Sequence, residues 1–491
     1  MAPSGSTFAR IQQIDMTLAT QPPNHPSRDS LSHVMDALTH ELGARASTAT
    51  AVREHHSEDE AYHHAIPDIV VFPETTEEIS RVVIICANFN CPITAWGAGT
   101  SLEGNALCTT GGVCLDLSRM NKILDVHTED MTVTVEAGVT RNQLNNSLRH
   151  SGLFFPIDPG ADATLGGMAA TRASGTNAVK YGTMRGNVLC CTAVLANGKI
   201  IHTGRRSPKS AAGYDMTALL VGSEGTLGII TDLTVRLHPV PESVASITCV
   251  FDTIDAAVQA VILAIQCALG VARIELLDAK MMAAINCFEK SNYPIMPTLF
   301  VEFHGSDVVV EAQKQQFLEI AESFGGHHTA TAKTTEERSQ LWKARHNALY
   351  ASRAMDPTKK ALITDVCVPI SRLADCIAEA RIDLDNSPLT ATIAGHVGDG
   401  NFHAFILFDP ADSSEIAIAE ALHFRMAKRA IAMGGTCTGE HGIGIGKREL
   451  LIDEAGATVD AMRAIKMALD PMGILNPNKI FVDPTPSNGS A

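Results

Sequence analysis

A chain of 491 residues, 45% of them hydrophobic and 37 of them glycine, is long enough for about two or three globular domains rich in turns. Its net charge of −16 and lack of any basic run argue against nucleic acid as a partner and disfavour adhesion to anionic lipid. No charged-then-apolar leader opens the chain, and its longest apolar run, 260–272, is broken by Gln266 and Gly270, so neither a secretory signal nor a transmembrane segment is expected.

The 12 cysteines form no CxxC pair, which excludes a zinc ribbon or an iron–sulfur signature. Reduced thiols in a cytoplasmic setting are the reading, with the inner face of a membrane as a peripheral alternative. Cys190 and Cys191 read as strand neighbours facing opposite ways.

Residues 1–28, rich in Ser, Pro, Thr and Gln, are expected to form a flexible arm, followed by helix through 33–42. His55, His56, His63 and His64 fall in a polar, acidic stretch and read as loop residues, not metal ligands. A buried strand is expected at 69–72, then a helix to about 88 opened by a capping box of Thr75 with Glu78. Strand 93–96 runs straight into Gly97-Ala98-Gly99-Thr100-Ser101, a loop whose backbone N–H groups can cradle an anion. It is not the dinucleotide fingerprint, which needs a helix directly after the glycines. Strands follow at 112–117 and 131–136, and Thr140 with Gln143 caps another helix.

From Phe155 to Val188 the chain holds almost nothing large and apolar. Such a stretch is expected to lie outside the core, as backbone wrapped against an extended ligand. A hairpin turning at Asn197-Gly198 comes next, then a third small-residue loop, 222–228, leading into strand 229–237. Pro239 and Pro241 mark a boundary. Beyond it, strands and helices alternate in a pattern that predicts an antiparallel sheet carrying helices on one face. A helix over 336–350 carries Trp342, Arg345 and His346, and two terminal helices are read at 417–433 and 459–469.

The chemistry concentrates in His396-Val397-Gly398-Asp399-Gly400-Asn401-Phe402-His403. A Gly-Asp-Gly turn between strand-like residues can bring both imidazoles to one sheet edge, where a nearby carboxylate would complete a divalent-metal site. Glu440 is the candidate carboxylate, and His441 beside it is free to move protons.

The loop at 97–101, the stretch 159–187, the 222–228 loop, the histidine hairpin, Gly439-Glu440-His441-Gly442 and Asn476-Pro477 together resemble the vanillyl-alcohol-oxidase-type FAD flavoproteins. Within them, Ala173–Val179, Lys209–Tyr214 and Thr364–Leu373 are similar to the FAD-linked D-2-hydroxy-acid dehydrogenases, nearest the cytochrome-type D-lactate dehydrogenases. The resemblance implies an α+β fold: a two-subdomain FAD-binding domain over 29–242, an α+β substrate cap domain with an antiparallel sheet over 243–430, C-terminal helices over 431–481 returning to the FAD domain, and a tail over 482–491.

By the same resemblance, non-covalent FAD would lie against Gly97, Ala98, Gly99, Thr100 and Ser101. It would continue along Pro159, Gly160, Thr164, Gly167, Gly175, Asn177, Gly182, Asn187 and Val188, then along Glu224, Gly228 and Ile230, with Asn476 near the flavin ring. His396, His403 and Glu440 would hold a divalent metal, zinc or manganese with iron left open. His441 would be the general base, Arg345 a two-pronged clamp for the substrate carboxylate, and Asn401 either a substrate contact or a turn residue. The implied reaction is oxidation of D-lactate to pyruvate, with electrons passing to a quinone, a cytochrome c or a flavoprotein. Ile363 offers no charge for a second substrate carboxylate, which favours D-lactate over D-2-hydroxyglutarate. Other D-2-hydroxy acids, an oxidase of the same fold and a metal hydrolase are the rivals, and a homodimer is left open.

Overall fold

The computed structural model describes residues 26–482, so the expected arm and tail lie almost wholly outside the described residues. Three sheets organise the chain. The first has four strands, in which 69–71 and 93–96 both run parallel to the central 113–116. The second is a five-stranded antiparallel sheet in the order 123–127, 132–136, 229–236, 188–194, 200–204. The third is an eight-stranded sheet built from the C-terminal half, every pair of it antiparallel.

The local signals explain most boundaries. Thr75 and Thr140 cap their helices by accepting from the backbone N–H of Glu78 and Gln143. Neither capping box closes, however: Glu78 pairs with Arg45 and accepts from the N–H of Glu74, and the Gln143 amide donates to the carbonyl of Asn121. Asn347 divides the expected 336–350 helix into Thr335–His346 and Ala348–Ala354.

Two expectations need correction. Helices cover both faces of the large sheet, not one. Along strand Thr298–Gly305, Leu299, Val301 and Phe303 pack with the helices Ile254–Gln266 and Asp307–Ser323, whereas Phe300 faces Met281, Ile285 and Trp342 on the other side. Apolar residues of both parities along one strand are the mark of a sheet buried twice. Nor does the 155–188 stretch lie outside the core: Phe155, Ile157, Leu165, Met168 and Met184 are buried in the core of the five-stranded sheet. Its helix Leu165–Thr171 presents Leu165, Met168 and Ala169 inward while its glycines meet the cleft.

His56 does lie in a turn, just past helix Thr50–His55, but it is not a solvated one. It is buried and bonded to the Asp116 carboxylate (2.9 Å) and the Val52 carbonyl (2.7 Å). The chain's end returns to the first sheet, where Leu475 bridges Ile93 and the N–H of Ile93 donates to the carbonyl of Ile474.

Candidate active site

A cleft with a cavity volume of about 310 Å³, partly open to solvent, is walled by the two N-terminal sheets on one side and the large sheet on the other.

Gly97, Ala98, Gly99, Thr100, Ser101, Pro159, Gly160, Thr164, Gly167, Glu224, Gly228 and Ile230 all line this cleft. Their wall is mostly backbone, because the loops interlock: a side chain on Gly97 would strike the Thr164 hydroxyl, and one on Gly99 would enter the Trp96 ring. This small-residue surface with exposed backbone fits a dinucleotide laid along it.

The structure does not bring Gly175, Asn177, Gly182, Asn187, Val188 or Asn476 to the cleft wall; they shape the layer behind it. Gly175 passes against the Asp158 backbone with no space for a Cβ. Asn177 donates to the Pro156 carbonyl (2.9 Å), and Gly182 ends a helical turn in a left-handed conformation. Asn187 donates to the carbonyls of Tyr181 and Thr183 (both 2.9 Å), and Val188 opens a core strand. Asn476 donates to the carbonyls of Asn105 (2.9 Å) and Glu224 (2.6 Å), pinning two loops together. Glu224 reaches the wall, yet its carboxylate accepts from the N–H groups of Ile443 (2.7 Å) and Gly444 (2.8 Å), tying the FAD half to the segment that carries Glu440.

The other end of the cleft holds the histidines. Strands Ala391–Gly395 and Asn401–Phe408 pair antiparallel with Ala394 opposite His403, and Gly400 turns between them at φ +79°. A side chain on Gly400 would collide with the Val368 carbonyl, so this turn requires glycine. His403 Nδ1 donates to the Thr364 carbonyl (2.9 Å), and His396 Nδ1 meets Glu275 Oε1 (2.7 Å). Both Nε2 atoms therefore face Glu440 Oε1, at 3.2 and 3.3 Å.

A protonated imidazole can donate from Nε2 to Glu440, and against the pull of burial Glu275 and Glu440 hold His396 well above its usual range; neutral imidazoles in the same places would instead aim their lone pairs at a shared cation. Four ligands about 2.1 Å from zinc in a tetrahedron stand roughly 3.4 Å apart, which the two histidine–Glu440 separations approach, while all three ligand atoms lie within 4.8 Å of one another. The donor set thus fits a divalent metal held by His396, His403 and Glu440.

Asp365, fully buried, organises this corner. It accepts from the backbone N–H groups of Glu440 and His441 and from Thr438 Oγ1 (each 2.9 Å), and from Asn401 Nδ2 (2.8 Å). Burial works against its charge, but His441, Lys447 and the donated hydrogen bonds hold it well below the usual carboxylate range. Asn401 is thus turned onto Asp365 and does not line the cleft.

The His441 ring stacks on His403 at 5.2 Å and lines the cleft, and its Nδ1 is buried without a hydrogen-bond partner. Burial pushes its pKa down to about 4. Arg345 lines the same end, its Nε donating to Glu275 Oε2 (2.7 Å). Glu275 itself keeps a lowered pKa against the pull of burial, because His396 and Arg345 flank it.

Reading the sequence alone misses Glu275, Asp365, Lys447 and Glu103. The signal present for Glu275 is an acid set between Ile274 and Leu276 in a strand whose only other polar residue is Arg273, a place a carboxylate occupies only when partnered.

Residues 240–480 match the family of FAD linked oxidases, C-terminal domain, and residues 67–204 match the FAD binding domain family. A curated relative, "Probable D-lactate dehydrogenase, mitochondrial" of Danio rerio, is 52% identical over 440 residues, covering 89% of this chain and 88% of its own length. The chain belongs to the FAD-linked oxidase family.

Another family relative, "D-lactate dehydrogenase (cytochrome), mitochondrial" of Arabidopsis thaliana, is 44% identical over 430 residues, covering 87% of this chain and 76% of its own. The fold of this FAD-linked oxidase is shared with the 4-ethylphenol oxidase of Gulosibacter chungangensis, at TM-score 0.76 and 18% identity, over 95% of this chain and 99% of that one. The chain thus joins an FAD binding domain to the C-terminal domain of the FAD linked oxidases. Among the described residues no helix is long and apolar enough to cross a membrane, and the 12 cysteines are all free thiols.

Proposed function

We propose that this chain oxidises D-lactate to pyruvate with non-covalent FAD and a divalent metal, passing the electrons to a cytochrome or another respiratory acceptor. The observation that carries the reading is the convergence of Arg345, His441 and the His396–His403–Glu440 set at the end of the cleft whose wall suits FAD. The D-lactate dehydrogenase relatives favour this substrate. The same reading divides the chain into an FAD-binding part at 29–242, a cap at 243–430 and returning segments at 431–481.

Bound FAD supplies the hydride acceptor. His396, His403 and Glu440 would hold a zinc or manganese ion, which would supply a Lewis acid for the substrate hydroxyl. Arg345, held by Glu275 through Nε, turns the rest of its guanidinium toward the substrate carboxylate. His441 takes the hydroxyl proton. Leu349, Ile363 and Phe405 line the same cleft and keep water from the reacting carbon. Arg345 is the only lysine or arginine on the cleft wall among the described residues, so one carboxylate finds a partner and a second does not. The first loop carries no histidine or cysteine, which supports non-covalent FAD.

The purified flavoprotein should reduce an artificial acceptor with D-lactate and not with L-lactate. Dialysis against a chelator should lower that rate at least about tenfold, with recovery on adding zinc or manganese. Equal turnover of D-2-hydroxyglutarate removes the monocarboxylate assignment, and chelator resistance removes the metal.

Arg345→Lys keeps the charge but cannot form the planar fork. Loss of one charged hydrogen bond should raise KM for D-lactate by about tenfold or more with a smaller change in kcat, measured by steady-state kinetics. An unchanged KM takes Arg345 out of substrate binding.

A further inference from the structure

Strand Val271–Leu277 sits beside the histidine strand, with Leu276 opposite Gly395 and Leu277 opposite Ala394. Glu275, 1% exposed, emerges from it between two groups that come from distant parts of the chain. One carboxylate oxygen meets His396 Nδ1 (2.7 Å) and the other accepts from Arg345 Nε (2.7 Å). We propose that Glu275 is a positioning residue that couples metal binding to substrate-carboxylate binding, by fixing the tautomer of His396 and the orientation of Arg345 with one side chain. The inference rests on the proposed roles of those two residues.

The chemistry of a carboxylate is what the position demands. With Nδ1–H donating to Glu275, the His396 Nε2 lone pair points at the ligand set, as metal ligation requires. With Nε donating to the second oxygen, the outer nitrogens of Arg345 stay available to a ligand in the cleft. An amide cannot serve both partners. Glutamine offers one acceptor, and its NH2 would face either the Nδ1–H of His396 or the Nε–H of Arg345, donor against donor. If His396 escapes by switching tautomer, it presents Nε2–H to the metal position and loses the ion. If Arg345 rotates away, the carboxylate clamp is lost. Because the two oxygens share one rigid group, ordering one partner orders the other, and such coupling is reciprocal in binding free energy.

The test uses the full-length FAD-loaded enzyme. Zinc affinity is measured by competition with a chromogenic chelator, and KM for D-lactate is measured at saturating zinc, for wild type, Glu275→Gln, Arg345→Lys and the double variant. Glu275→Gln should weaken zinc by roughly 10–100-fold, the usual cost of losing a ligand's hydrogen-bond partner. It should also raise KM, and the double variant should show little more KM loss than Arg345→Lys alone. Arg345→Lys by itself should weaken zinc by less than Glu275→Gln, since His396 keeps its carboxylate partner and loses only the ordering that Arg345 gives it. Unchanged zinc affinity in Glu275→Gln overturns the proposal, and so does a KM effect fully additive with Arg345→Lys. If wild type itself binds no zinc or manganese, it is the metal reading that fails. Should the glutamine variant be insoluble, Glu275→Asp sets both oxygens back by one methylene and should lose both affinities; wild-type values there also overturn the coupling.

Discussion

Replacing His441 with alanine is expected to slow D-lactate turnover by at least about 100-fold while FAD absorbance and bound metal stay at wild-type levels. The imidazole lines the cleft beside Glu440 without belonging to the His396–His403–Glu440 set. Its ring lies parallel to that of His403, so the two present edges to the same space. Removing it leaves the three proposed ligands their own supports, Glu275, Thr364 and Asp365, which is why metal should persist. His441→Gln fills the space without an imidazole nitrogen to accept the proton and should be similarly slow. Stopped-flow reduction of the flavin by D-lactate isolates the affected half of the reaction, and near-normal reduction in both variants removes His441 from the chemistry.

Lys447→Met should cost about 3–5 kcal/mol of stability, the range for stripping one partner from a buried ion cluster. Lys447 is completely buried, 2.7 Å from Glu103 and 3.8 Å from Asp365. Burial alone would discharge it; the two carboxylates outweigh that and raise its pKa. Methionine fills the volume and strands both acids. Burial already pushes Glu103 up to about 7 in the native protein, and loss of the ammonium pushes it further in the same direction. A carboxyl whose folded pKa exceeds its unfolded one supports folding below the unfolded value and loses that support as pH rises through the folded one. The deficit of Lys447→Met relative to wild type should therefore deepen from about pH 7 upward, where Glu103 ionises in the wild type but not in the variant, read as a widening gap in urea midpoint. Adding Glu103→Gln should recover part of it, and a pH-independent deficit contradicts the account.

Much of the site is written locally. Gly97 to Ser101 and the Gly-Asp-Gly turn can be read because the backbone there needs residues without side chains, and the spacing of His396 and His403 follows from a tight hairpin. Glu440 and His441 stand out between glycines. What fixes these groups is not local. Glu275 lies 121 residues from His396, and Asp365 lies 75 residues from Glu440, so no periodicity or turn chemistry announces the partnership. The same limit explains Asn401 and Asn476, whose amides resemble ligand contacts in sequence and in the structure bind neighbouring protein groups. Strands 123–127 and 327–332 and helices 307–323, 373–385 and 448–455 escape the pattern reading, since partly exposed elements blur the apolar spacing it depends on.

Lys447 bridges an acid from each half of the molecule, and Glu224 of the FAD half grips the backbone just past His441. The proposed base, His441, and the proposed third ligand, Glu440, are thus stationed on a seam. A molecule whose halves drift apart during synthesis, heating or proteolytic nicking loses its chemistry while its dinucleotide wall is still intact, so it could keep its yellow colour and yet be silent toward lactate.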